Sequence, residues 1–201
     1  MSSFIGHSLA ALGVFSSEEL PASTYFKKFW LEWLIVIASA PDIDHILRAL
    51  ILTVYPEGKI RITHSILGSL MLPFGTILLL TILGFKRSSR TRLGVQVIIA
   101  GLSHLVLDLL TGVNELPLLW PFSLENFKLP FGLLPSAGKV SLLNYYLYRN
   151  LFIEVGVLAP LFYSIYLIRH NCIITRLQKI RIIGLLLISI CFMFWSFSLS
   201  R

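Results

Sequence analysis

LGVQVIIAGLSHLVLDLL, residues 93–110, is the most telling stretch of the chain. The run is long and apolar enough to cross a bilayer as a helix, for which about 20 such residues suffice, and yet it carries His104 and Asp108. At i and i+4 these side chains lie one above the other on a single helix face. A charged carboxylate is costly in hydrocarbon unless it is paired, metal-bound or turned to a polar cavity. The face bearing His104 and Asp108 therefore looks into a bundle of helices and not at lipid.

A second polar cluster, Pro41-Asp42-Ile43-Asp44-His45, interrupts another apolar stretch directly after residues 29–40. The chain has only three aspartates, Asp42, Asp44 and Asp108, and each lies within four residues of a histidine. That association points to N/O metal ligands. The 201 residues are 56% hydrophobic and 13% charged, with a mean hydropathy of +0.81, which is too apolar for a soluble domain. The expected fold is all-α: a single integral membrane domain over residues 1–201, a multi-pass transmembrane helical bundle with short or interfacial helices. About five to seven spanning or half-spanning segments fit the length. Residues 1–125 carry the metal-site core, and residues 150–199 form two C-terminal transmembrane helices.

The net charge of +7 does not indicate nucleic acid. Its Lys and Arg residues are gathered in short gaps between apolar runs, which is a topology signal. Lys86, Arg87, Arg90 and Arg92 separate the apolar runs 65–85 and 93–110, both long enough to cross. Arg169, Arg176, Lys179 and Arg181 separate 150–168 from 182–199. Placing these gaps and Lys27/Lys28 in the cytoplasm puts His7, Asp42, His64, His104 and Asp108 together at the outer side of the membrane. Residues 4–15 are short for a crossing, and residues 43–55 read as a short re-entrant or interfacial helix before the turn Pro56-Glu57-Gly58. Residues 111–148, with Trp120-Pro121-Phe122 and Leu129-Pro130-Phe131-Gly132, read as an external loop at headgroup depth. Residues 1–12 lack a basic start and contain His7, so no cleavable signal peptide is expected. The two cysteines, Cys172 and Cys191, support neither a thiolate site nor a disulfide framework.

The pair His104/Asp108 can bite one metal or two adjacent metals. Asp42, Asp44 and His45, beside a proline at a helix end, can present donors in nearly one place and build a bridged two-metal site, with His7 and His64 completing the shell. Imidazole with carboxylate suits zinc first, then manganese or iron, with capacity for two or more ions. Taken singly, each element has a plainer reading: HxxxD as a structural pair or proton relay, Asp42 and Asp44 as a capped turn. Their convergence on one predicted face favours the metal. Thr63 and Ser65 either cap a helix or orient His64, and Glu115 and Glu125 are solvated loop carboxylates. His170 belongs to a basic gap at the other end.

In order, Gly6-His7-Ser8, Pro41-Asp42-Ile43-Asp44-His45, Thr63-His64-Ser65, His104-Leu105-Val106-Leu107-Asp108 with Thr111, and Trp120-Pro121-Phe122 resemble the membrane-bound metal-dependent hydrolases of the YdjM type, LexA-regulated inner-membrane proteins of bacteria or archaea. The resemblance covers about the first 125 residues and implies metal-binding roles for His7, Asp42, Asp44, His45, His64, His104 and Asp108. Where the family often has His-Arg before its Thr-His-Ser, this chain has Lys59-Ile60-Arg61-Ile62.

The functional expectation is metal-dependent hydrolysis of an ester or phosphoester in a small-molecule or lipid substrate at the outer surface of the inner membrane. Asp44, His104 and Asp108 would form the catalytic core, with Lys59 and Arg61 steering an anionic head; a snorkelling anchor is the competing role for Arg61. Membrane lipids are the expected surroundings, no nucleic-acid partner is expected, and oligomeric state is left open. HExxH, Walker and dinucleotide motifs are absent. The alternative is a non-catalytic metal-binding membrane protein or an ion or proton transporter.

Overall fold

The computed structural model describes residues 2–16, 23–43, 62–136, 143–170 and 175–199. Among these residues the chain is helical, with α1 (Phe4–Phe15), α2 (Thr24–Ser39), α3 (Ile66–Ile82), α4 (Arg87–Leu110), α5 (Tyr145–His170) and α6 (Arg176–Phe197). Single 3-10 turns, Ala40–Asp42 and Ile62–His64, follow α2 and precede α3. No β-strand occurs among the described residues; the loop after α4 is closed by one antiparallel bridge, Leu116 to Phe127. Beyond Ile43, the short helix expected over residues 43–55 lies outside the described residues, as does the Pro56-Glu57-Gly58 turn.

Helices α4, α5 and α6 are long and apolar enough to cross a membrane. Helix α3, read from sequence as a crossing over residues 65–85, is a shorter apolar helix of 17 residues, about 26 Å at 1.5 Å per residue. Its C-terminus is set by Gly84, whose φ of 71° lets Phe85 N–H reach Leu80 O at 3.1 Å and Gly84 N–H reach Thr81 O at 3.1 Å. This Schellman turn delivers the chain directly into the basic start of α4.

The expected bounds shift where capping overrides hydropathy. Helix α2 begins at Thr24 because the Ser23 hydroxyl accepts from Phe26 N–H, and α6 begins at Arg176 behind a Thr175/Gln178 capping box. Both therefore extend through their basic first turns, where Lys and Arg can snorkel to the surface.

Helix α1 is the hub. It packs against α2, α4 and α5, whereas α6 packs chiefly on α5. This explains how a 12-residue helix, at about 18 Å too short to cross alone, is accommodated: longer helices pack against the side bearing His7, Ala10, Ala11 and Val14, while Phe4, Ile5 and Leu12 stay exposed. Ala11, Val14, Trp30, Leu34, Ile37, Ala38, Leu93, Val97 and Ala100 form the core joining α1, α2 and α4. Ala10, Leu107, Leu134, Val157 and Leu158 join α1 and α4 to α5. Trp30 Nε1–H donates to Gln96 Oε1 at 2.7 Å, and Gln96 Nε2 donates to Val14 O at 3.4 Å. This buried network fixes the rotational setting of three helices.

The helix polarities sort the chain's chemistry by end. Lys27 and Lys28 sit in the first turns of α2, Arg87 and Arg90 in the first turn of α4, Arg169 in the last turn of α5 and Arg176 at the start of α6. His170 is at this end too, donating from Nε2 to Ser16 O at 2.7 Å. The starts of α1 and α3 and the ends of α2 and α4 lie at the opposite end.

Candidate metal centre

Four separate segments deliver side chains to one point at that opposite end. His7 lies in the first turns of α1, Asp42 closes the 3-10 turn after α2, His64 closes the 3-10 turn before α3, and His104 and Asp108 occupy the last two turns of α4. One donor atom each from Asp42, His64, His104 and Asp108 lie within 4.8 Å of one another. His64 Nε2 is 3.6 Å from Asp42 Oδ1 and 3.6 Å from Asp108 Oδ2, and His104 Nε2 is 3.8 Å from each of the same two oxygens. These separations exceed hydrogen-bond length. They are close to the roughly 3.3–3.5 Å between ligands on a tetrahedral ion with bonds of about 2.0–2.1 Å.

His7, His64, His104 and Asp108 are fully buried, while Asp42 is 29% exposed, so the cluster is reached from Asp42's side. Buried polar atoms ordinarily have hydrogen-bond partners. Here Asp42 Oδ1, His104 Nε2, Asp108 Oδ2 and both ring nitrogens of His7 have none, and the Nε2 and carboxylate atoms face one another. A metal ion would satisfy such a set, and Asp42, His64, His104 and Asp108 could hold one. Burial pushes the Asp42 carboxyl up, but the neighbouring His64 imidazole and the His104 and His7 rings outweigh it and hold the acid below its ordinary value.

The surrounding shell orients the donors. His104 Nδ1 is 2.8 Å from Ala38 O; a carbonyl can only accept, so Nδ1 carries the proton and Nε2 presents its lone pair to the cluster. Thr63 Oγ1 lies 3.1 Å from His64 Nδ1, while Ser65 caps α3 by accepting from Gly68 N–H at 3.0 Å. Both roles read from sequence for this pair are thus present, one on each residue. Asp108 Oδ1 accepts from Ser2 N–H at 2.7 Å, and Thr111 Oγ1 donates to Asp108 O at 2.8 Å.

One contributor escaped the sequence reading. Glu154, 1% exposed on α5, a helix long and apolar enough to cross a membrane, accepts a short hydrogen bond from Ser2 Oγ and bonds from Ser3 N–H at 3.0 and 3.3 Å. It ties the start of α1 down, and through Ser2 it reaches Asp108. Gly6 makes this possible, because a Cβ there would collide with Glu154 Oε1. The available signal was a lone carboxylate inside an apolar run, which is costly enough to demand a role.

Of the residues expected at the site, the structure brings His7, Asp42, His64, His104 and Asp108 together. Asp44, His45, Lys59 and Arg61 lie outside the described residues. Glu115 and Glu125 are exposed on the loop after α4, which is anchored to the site by the bond from Ile66 N–H to Leu118 O at 3.0 Å.

Fold and site together define a helical membrane protein with a carboxylate and imidazole cluster able to hold a metal ion. The chain belongs to the YdjM inner membrane protein family, whose family model matches residues 1–199. No curated protein and no solved structure matches it.

Proposed function

We propose that the protein is a membrane-bound, metal-dependent hydrolase acting on a phosphoester-bearing lipid or similar amphiphile at the outer face of the inner membrane. The observation that carries this reading is the convergence of two imidazoles and two carboxylates within 4.8 Å at helix ends, with Asp42 partly open to the surroundings. His64, His104, Asp42 and Asp108 would hold the ion, zinc by preference with manganese or iron as alternatives. A divalent cation there supplies Lewis-acid activation of water and of a phosphoryl oxygen.

The chain's own residues do the rest. Ala38 O and Thr63 fix the ring orientations of His104 and His64, so the donors are pre-arranged before substrate arrives. Asp42, on the open side, is the ligand nearest incoming substrate, and Asp44, two residues on in the sequence, would take a proton from water. Lys59 and Arg61 would pair with an anionic head. The outer orientation rests on the basic residues at the opposite end of the bundle, and exposed Tyr145, Tyr146, Phe122 and Leu124 suit a headgroup-level belt.

The competing class is transport. A transporter places its ion site near the midplane on broken helices, whereas these donors come from helix ends. The test is purified protein in liposomes, loaded with zinc or manganese and offered phospholipids and p-nitrophenyl phosphoesters. Metal-dependent phosphoester cleavage lost in Asp42→Ala supports hydrolysis. Metal or proton flux across the liposome without turnover would replace it with transport.

A further inference from the structure

We propose that the centre holds two divalent transition-metal ions side by side, bridged by Asp42 and Asp108, with His104 and His64 on one ion and His7 on the other. The proposal rests on the metal-site reading and assigns its donors.

An imidazole nitrogen binds a metal along a lone pair lying in the ring plane, at about 2.0–2.1 Å. The rings of His7 and His104 are stacked, with centroids 4.1 Å apart and planes inclined by 13°. Lone pairs confined to two stacked, nearly parallel ring planes do not converge on one ion. His64 stands differently, at 71° to His104 with centroids 5.1 Å apart, so the in-plane directions of these two rings cross and can share an ion.

The carboxylates divide in the same way. Asp42 turns Oδ1 to His64 and His104, at 3.6 and 3.8 Å, and Oδ2 to His7 Nε2, at 3.7 Å. Asp108 turns Oδ2 to His64 and His104, at 3.6 and 3.8 Å, and Oδ1 to His7 Nε2, at 3.9 Å. Each acid thus offers one oxygen to each histidine group, the arrangement of two bridging carboxylates. Asp108 Oδ1 also accepts from Ser2 N–H, which its second lone pair permits. The 4.1 Å between the centroids of the stacked rings is close to the roughly 3.5–4 Å between ions in two-metal sites.

His7 supplies the independent observation. It is fully buried, and neither ring nitrogen has a hydrogen-bond partner, an arrangement that is costly for a group with nothing to bind. It also stands outside the four-donor set. Among the described residues its ion would have three donors, His7 Nε2, Asp42 Oδ2 and Asp108 Oδ1, fewer than a closed structural site uses. This is the ion with room for a phosphoryl oxygen.

The test uses full-length protein in detergent, stripped with chelator and reloaded with Mn²⁺. Manganese per chain is counted by plasma mass spectrometry, and the electron paramagnetic resonance spectrum is recorded. The proposal expects two ions per chain and an exchange-coupled signal in the wild type. In His7→Gln, verified monodisperse, it expects one ion per chain and the six-line signal of isolated Mn²⁺. One ion and an uncoupled signal in the wild type overturn the pairing while leaving a mononuclear hydrolase standing, and that result needs no variant. Two coupled ions retained in His7→Gln overturn the assignment of His7. No bound ion in any form overturns this proposal and the hydrolase reading together.

Discussion

Replacing Glu154 with leucine should detach the N-terminus from the metal centre. The carboxylate is the acceptor for Ser2 Oγ and Ser3 N–H, and both serines are buried, at 4% and 7% exposure. Leaving two buried donors unsatisfied costs about 1–3 kcal/mol each, so roughly 2–6 kcal/mol favours release of this segment. Removing a buried carboxylate also relieves its desolvation, so global stability is a poor readout and position is a good one. Ser2 N–H leaves Asp108 Oδ1, and the first turns of α1, which seat His7, loosen. Loss of an outer-shell partner lowers metal affinity about 10–100-fold, or roughly 1.4–2.7 kcal/mol. Zinc affinity would be read by competition with a chromophoric chelator in detergent, beside hydrogen exchange of a peptide covering residues 2–16. Glu154→Gln, which keeps an oxygen acceptor, should fall between wild type and Glu154→Leu. Unchanged affinity and unchanged amide protection in Glu154→Leu would show that Glu154 does not hold the start of α1 at the metal centre.

Thr63→Val removes the hydroxyl beside His64 Nδ1 and should weaken zinc binding about 10-fold in the same competition assay, with the helical content by circular dichroism unchanged. Gln96→Leu orphans the Trp30 indole N–H and should destabilise the bundle by about 1–3 kcal/mol, seen in detergent-induced unfolding, while metal content per folded molecule stays at the wild-type level. Acidification should release the metal: an imidazole must be neutral to ligate, and because Asp42 is held below its ordinary value, protons displace the ion at the histidines first. Because the bound ion competes with protons for the imidazole lone pairs, occupancy followed by dialysis should hold from about pH 8 down through the ordinary histidine range near pH 6.5 and be lost only below it. In a variant lacking the native cysteines, a cysteine at exposed Leu124 should react with a membrane-impermeant maleimide in intact cells, and one at exposed Ser88 only after lysis. The reverse pattern would invert the topology.

Hydropathy and the basic gaps made α4, α5 and α6 legible, because a bilayer demands long apolar runs and charge marks their ends. The central position of α1 was not legible: Phe4–Phe15 is apolar apart from His7 and Ser8, and nothing in its pattern says that α2, α4 and α5 all pack against it. The donor residues His7, Asp42, His64, His104 and Asp108 stood out because polar groups in apolar runs need a reason. Their supporting atoms did not. Ala38 acts through its carbonyl and Ser2 through its backbone N–H, and any residue type carries those groups. Glu154 was visible in principle but stood without a neighbouring histidine in sequence, and its partners lie about 150 positions away. The stacking of His7 on His104 depends on how α1 and α4 cross, which spacing alone does not give.

The most direct test of the central claim is the metal content of the purified protein, measured by plasma mass spectrometry beside an Asp42→Ala/His104→Ala double variant shown to be folded and inserted. The account predicts stoichiometric zinc, manganese or iron in the wild type and its loss from the variant. No metal in the wild type after reloading with each ion, or equal metal in both proteins, would contradict it and leave the cluster a buried polar network.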